Sequence, residues 1–284
     1  GVRQSASISQ LYVSPLFDWQ SQSLRKAEVI LETQRFGKFS LGQGSMGSDG
    51  VAESDLSGTG LANYVGISDT AGGYMFRTAS GTLSPVRIQD VFPTFDGGRS
   101  VRIRWDSPEI KFGKLGSLRF VGSIGKEDID RNVTFNDALQ DIGLYYRNSV
   151  GQYSLAGSAG ASITETSSGE PTPQVAGSFS VLHNPTGINA TFAGGHKDGG
   201  GSYGYLKLGW RRDLFGFGDS ALAADYYESI DTYSSGSLAR SIGLGLVQNV
   251  ERWDLDFFVG YRVHQYFGTG AVRHRSTPAF RRAF

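Results

Sequence analysis

A chain of 284 residues with 27 basic and 27 acidic side chains carries no net charge to draw it toward nucleic acid. It has no cysteine, which removes disulfides, thiol nucleophiles and thiolate metal sites, and its four histidines are too widely spaced for a His-rich metal motif. With 40 glycines but only 8 prolines it is neither collagen-like nor a proline-rich disordered chain, and no run of 18 apolar residues announces a transmembrane helix.

Gly1-Val2-Arg3 opens into chain of the same character as the rest, with no signal peptide, so the expectation is a mature, trimmed or fragmentary sequence. The first clear alternation sets Ala27, Val29 and Leu31 against Lys26, Glu28, Ile30 and Glu32. Phe39 and Leu41 continue it and lead into GQGSMG at 42–47, which matches GxGxxG. A dinucleotide fingerprint also needs a helix to follow within a βαβ unit, and SDGVAESDLSGTG shows no helical periodicity. The stretch reads instead as a glycine-rich loop, and alternation lapses from Gly42 to Arg99. A loop that long in a compact domain is functional.

Alternation resumes with Val101, Ile103 and Trp105 on one face and Arg102 and Arg104 on the other; Arg119 lies opposite Leu118 and Phe120. Ile142, Leu144 and Tyr146 oppose Asp141, Tyr145 and Arg147, and Val175, Gly177, Phe179 and Val181 share a face. Past the turn signal Asn184-Pro185-Thr186-Gly187 come Ile188, Ala190 and Phe192, then Leu206, Leu208 and Trp210 against Tyr205 and Lys207. Ile242, Leu244 and Leu246 stand opposite Ser241, Gly243 and Gly245, and Asn249–Arg252 links them to a last hairpin strand. There Trp253, Leu255, Phe257, Val259, Tyr261 and Val263 face away from Asp254, Asp256, Arg262 and His264. The tail at 270–284 alternates poorly and carries Arg273, Arg275, Arg281 and Arg282, so it is either a degenerate strand or no strand.

This pattern gives about thirteen strand candidates, several of ten residues or more. Short links (Asn148–Gly151, Asn184–Gly187, Asn249–Arg252) alternate with longer ones (Glu165–Pro173, Lys197–Gly201, Ile230–Ser237). Strands of that length with loops of unequal length at the two ends fit an all-β, antiparallel transmembrane β-barrel better than a soluble sandwich. Trp105, Trp210 and Trp253 fall near strand ends, where indoles sit at the bilayer interface. In this reading 42–99 folds inward as a constriction, with Gly42, Gly44, Gly47 and Gly50 as its hinge. Asp49, Glu53 and Asp55 supply its negative charge, and Arg102, Arg104 and Arg119 face them from the wall.

The residues from Arg25 to Gly60, together with RSVRIRWDSPEI at Arg99–Ile110 and the closing hairpins through Phe267, resemble the trimeric outer-membrane general porins, particularly the alphaproteobacterial group. The resemblance implies a sixteen-stranded barrel in the bacterial outer membrane. It implies a homotrimer in contact with outer-membrane lipids and passive diffusion of small hydrophilic solutes and ions, with no cofactor, metal or nucleic acid. Measured against it, the chain is a single porin domain over 1–284 whose front strands are missing, and part of the family's basic wall lies on those strands. A substrate-specific channel is the alternative, with Tyr145, Tyr203, Tyr205, Tyr226 and Tyr227 as a stacking slide for sugars. A barrel enzyme is the remote one: His264 shares a face with Asp254 and Asp256, but no serine stands in a strained elbow, His183 reads as a turn neighbour, and the chain is read as no enzyme.

Overall fold

The structure, a computed structural model, describes residues 25–126, 138–165, 169–268, 273–275 and 279–282, the last two segments as backbone. It is all-β. Twelve long strands form one antiparallel sheet in chain order: β1 (Ala27–Thr33), β2 (Gly37–Ser45), β3 (Arg99–Asp106), β4 (Ser117–Lys126), β5 (Ala138–Val150), β6 (Tyr153–Glu165), β7 (Thr172–His183), β8 (Ile188–Lys197), β9 (Gly201–Asp213), β10 (Asp219–Ile230), β11 (Leu238–Val250) and β12 (Leu255–Phe267). The tail does pair: Arg273–Arg275 and Ala279–Arg282 lie antiparallel against β12 and make a thirteenth row. Among the described residues this row and β1 do not pair with each other, so the expected closed barrel is not seen; the sheet has two edges.

Each alternation read from the sequence becomes a pair of faces because side chains on a strand point to opposite sides with period two. Register joins the faces across strands. One row runs Phe192, Leu206, Tyr226, Ile242, Val263, and the next row on the other side runs Thr191, Lys207, Asp225, Gly243, Arg262. The polarity is the reverse of a soluble core. Apolar side chains fill the outward face, with Ile103, Ile124, Ile142, Leu208 and Ile242 each about 60% exposed. The inward face is polar and buried, and includes Ser100, Ser123, Asp141, Ser178, Lys207, Ser241 and His264.

One end of the sheet has tight connections. Gly151 at φ +57° opens the two-residue turn between β5 and β6, so the expected link at 148–151 begins later, after Val150. Gly187, at φ +77°, closes the β7–β8 turn so near β9 that a Cβ there would lie 1.8 Å from the Arg211 carbonyl oxygen. Trp253 is not part of a strand: it sits in a 3₁₀ turn, 69% exposed, and Asp254 in the left-handed region ends that turn. The indoles of Trp105 and Trp210 donate to the turn carbonyls of Phe36 (2.8 Å) and Thr186 (2.9 Å) at this same end. With exposed Phe215 and Phe217 stacked 5.5 Å apart, they give this rim an aromatic edge.

The inserted segment begins at Met46 and ends at Gly98, since β2 and β3 pair through Ser45 and Arg99. It is longer than any other connection between two paired strands and it is not structureless. It holds single helical turns at Ser68–Ala71 and Ile88–Val91 and a small hairpin from Met75–Thr78 and Leu83–Arg87. Val65, Ile67, Phe76, Val86, Ile88, Val91 and Phe92 are buried together against Tyr203, Tyr205, Tyr227 and Tyr266 of the wall. The segment thus brings its own apolar core to a polar face.

Candidate functional site

The inserted segment lies on the inward face and is fastened there strand by strand. At its entry Asp141 of β5 accepts from the backbone N–H of Gly47 (3.1 Å) and Ser48 (2.7 Å), from the Ser48 hydroxyl (2.7 Å), and from Ser123 of β4. Tyr145 donates to the carbonyl oxygens of Gly47 or Asp49, each 3.1 Å away. Farther on, the hydroxyls of Ser158 (β6) and Ser178 (β7) both lie within 2.8 Å of the Val51 carbonyl oxygen, and the N–H groups of Ser54 and Leu56 donate to Ser178 and Ser180. Serine suits these wall positions because a short hydroxyl both donates and accepts without keeping the incoming backbone away.

The deepest fastening is Lys207 on β9. Its ammonium is fully buried, and its three N–H groups are shared among four oxygens: Asp55 Oδ2 (2.6 Å), Ser57 Oγ (3.0 Å), Thr59 Oγ1 (3.0 Å) and the Asn63 carbonyl oxygen (2.7 Å). A buried cation tolerates this position only because a carboxylate and three further oxygens replace its water. Beyond it the segment presses on wall glycines: a Cβ on Gly260 would lie 2.5 Å from the Ala62 carbonyl oxygen.

The six charged residues singled out from the sequence divide into those used by the fold and those facing open space. Arg102 is buried, paired with Glu28 and donating to the carbonyl oxygens of Gly42 (2.8 Å) and Ser45 (2.9 Å). Arg104 forks onto Asp106 (2.9 and 2.8 Å) and donates to the Met46 carbonyl oxygen (2.7 Å), holding the start of the segment. Asp55 is taken by Lys207. Burial alone would raise its carboxyl, but Lys207 and Ser57 hold it below its ordinary 3.8. Arg119 remains partly open, its guanidinium 4.8 Å above the Tyr145 ring and 3.8 Å from Asp106. Asp49 and Glu53 also remain, joined by Asp96, which the sequence did not single out.

These three acids share one physical situation. Burial raises Asp49, against the opposing pull of Ser45, Arg99 and Arg104. Burial raises Asp96 despite hydrogen bonds from Thr94 and Gly50. Glu53 reaches the open cavity, yet the surrounding wall strips much of its water and Asp96, Asp49 and Asp69 add like charge, which together push its carboxyl up to about 7. The cavity below, of about 740 Å³, is lined by Glu53, Asp55, Asp69, Asp219, Glu251 and Asp256, with no basic side chain in its lining. It lies toward the tight-turn end, beside the starts of β10 and β12.

Of the four hinge glycines, Gly42 and Gly44 lie within β2, where they make room instead of bending the chain: a Cβ on Gly44 would lie 2.8 Å from Arg102 Nη2. Gly47 and Gly50 are in the turn that follows, Gly50 at φ +89°. The tyrosines do not form an open slide. Tyr203, Tyr205 and Tyr227 are buried beneath the inserted segment, Tyr226 faces outward, and Tyr145 holds loop carbonyls. His264 is buried 5.3 Å from the Phe92 ring and eight residues along β12 from Asp256, about 27 Å at strand rise. His183 hydrogen-bonds Thr186 in its turn. Among the described residues no helix is long and apolar enough to cross a membrane, and no cluster of three His, Asp or Glu is arranged to hold a metal ion. Comparison with family models, curated proteins and solved structures finds no match for this chain.

Proposed function

We propose that the chain builds the wall and constriction of a water-filled diffusion channel in the bacterial outer membrane, of the general-porin kind, for small hydrophilic solutes and ions. The observation that carries the proposal is the inverted polarity: apolar residues crowd the outward face of every long strand while charged and hydroxyl side chains are buried inward. Such a surface is far larger than a soluble monomer leaves uncovered, and hydrocarbon is the solvent it fits. An aromatic edge at the tight-turn rim fits the same reading. In a bilayer both sheet edges need partners, so the proposal requires closure beyond the described strands. The homotrimer belongs to the proposal through the family resemblance.

In this reading Glu53, Asp49 and Asp96 face the constriction from the inserted segment, with Arg119 and Arg99 on the wall, and the acidic cavity beneath favours cations. A general channel is favoured over a substrate-specific one because the tyrosines that would stack a sugar are buried in the segment's own core. Because Glu53 ionises near 7, cation preference should rise between pH 6 and 8. A unit charge ~5 Å from an ion path in a water-like medium is worth about 0.8 kcal/mol, roughly a fourfold gain for a cation and a fourfold loss for an anion, or about sixteenfold in the cation-to-anion permeability ratio. Reversal potentials across planar bilayers under a salt gradient measure this. Glu53→Gln should flatten the pH profile, and a wild-type profile that is already flat would remove Glu53 from the conduction path.

A further inference from the structure

On the outward face, at the tight-turn rim, Arg35, Phe36, Phe39, Trp105 and Pro108 line a notch of about 380 Å³. Trp105 also borders a second, larger groove of about 930 Å³ that extends across the outer surface of β4 to β8. The two therefore adjoin at one indole. Small residues, Gly122, Ala159, Ala161 and Gly177, line the larger groove; in register one row runs Trp105, Gly122, Ile142, Ala161, Val175 and the next Phe120, Leu144, Ala159, Gly177, Gly194. The adjoining row on the same face carries large side chains, Phe179, Phe192, Leu206, Tyr226 and Ile242.

The notch end carries a positive charge. Arg35 has no carboxylate partner among the described residues; its guanidinium rests 5.3 Å from the centroid of the Phe36 ring. By contrast, Arg102, Arg104, Lys207 and Arg262 are each paired on the inward face. A guanidinium without a carboxylate partner among the described residues, above an aromatic notch that adjoins a trough lined by glycine and alanine, is complementary to a molecule with one anionic head and a long apolar tail. We propose that this trough is a phospholipid site, with the phosphodiester held by Arg35 at the tight-turn rim and an acyl chain lying past Trp105 over Ala159 and Ala161. The proposal rests on the membrane reading above and adds to it one defined lipid position.

Native mass spectrometry of the detergent-solubilised full chain with dioleoylphosphatidylglycerol tests it, alongside flotation with vesicles of dioleoylphosphatidylcholine and dioleoylphosphatidylglycerol. Wild type is expected to float with the vesicles and to retain one phospholipid per chain. Arg35→Gln, which removes a charge-assisted hydrogen bond, should lower retention about tenfold. Ala159→Phe should also lower it by filling the floor, while Leu244→Ala, on β11 away from the trough, should not. Wild type that floats but retains no lipid, or retention equal in all variants, overturns the lipid site and leaves the membrane reading standing. Failure of wild type to float overturns both. A change of oligomeric state in Ala159→Phe with retention unaffected by Arg35→Gln would give the trough to a second copy instead, and overturns the proposal.

Discussion

Lys207→Met is expected to cost about 3–5 kcal/mol of folding stability and to raise single-channel conductance, because it leaves the carboxylate of Asp55 uncompensated. The ammonium is the meeting point of Asp55, Ser57, Thr59 and Asn63, which lie where the inserted segment turns across β9. Without it the segment can rehydrate Asp55 only by lifting off the wall, and that lifting widens the opening. The double variant Asp55→Asn with Lys207→Met should recover most of the stability, since no buried charge is then left unpaired. The pH dependence has a definite sign. Asp55 is held below its unfolded value of 3.8, so its contribution is complete above that value and is lost as pH falls through the lower folded value. Urea unfolding from micelles and bilayer conductance measure the two effects. A Lys207→Met protein with wild-type stability and conductance would show that the segment is held elsewhere.

Leu208→Arg should cost about 2–4 kcal/mol in a bilayer, the cost of a guanidinium near the midplane of a lipid-facing strand. Leu208 lies mid-way along β9, 58% exposed, between Ala190 and Ala224 in the adjoining strands. Were the same face in water, an exposed leucine exchanged for arginine would change stability by no more than about 0.5 kcal/mol. The two environments thus differ by several-fold in the same measurement, urea unfolding from lipid vesicles. A loss within about 0.5 kcal/mol would place the outward face in water.

The alternation of Leu206 and Leu208 with Tyr205 and Lys207 was readable because a strand's geometry turns spacing directly into faces. Strand ends were read a few residues off: β11 continues to Val250, through part of the expected link at 249–252, because the turn there is a 3₁₀ helix with no glycine to mark it. The sign of the charge on Asp55 and Arg102 could be read, but not their partners. Asp55 meets a lysine 152 residues away, and Arg102 meets Glu28 across β2, and nothing local encodes either contact. Ser158 and Ser178 gave no signal, since a serine on a polar face looks the same whether it meets water or a loop carbonyl. The apolar core of the inserted segment was missed for a related reason: Val65, Ile67, Phe76, Val86, Ile88 and Phe92 belong to short turns and to strands of four and five residues, too brief for either period to register. Asp96 was passed over because it stands next to the resumption of β3, far in sequence from Asp49 and Glu53, and the return of the segment to its starting point is what joins them.

In the proposed channel the outward face meets hydrocarbon and the inward cavity meets water. The chain has no cysteine, so single cysteines report without background. Placed at Ile103, Ile142, Leu208 and Leu244 on one face and at Glu53, Asp219 and Asp256 on the cavity, then challenged in reconstituted vesicles with a charged, water-soluble maleimide, they give the most direct answer. Protection of the first four and rapid labelling of the last three are the expected result. Labelling of Ile103, Ile142, Leu208 and Leu244 at the rate of the cavity positions would put the outward face in water and overturn the channel.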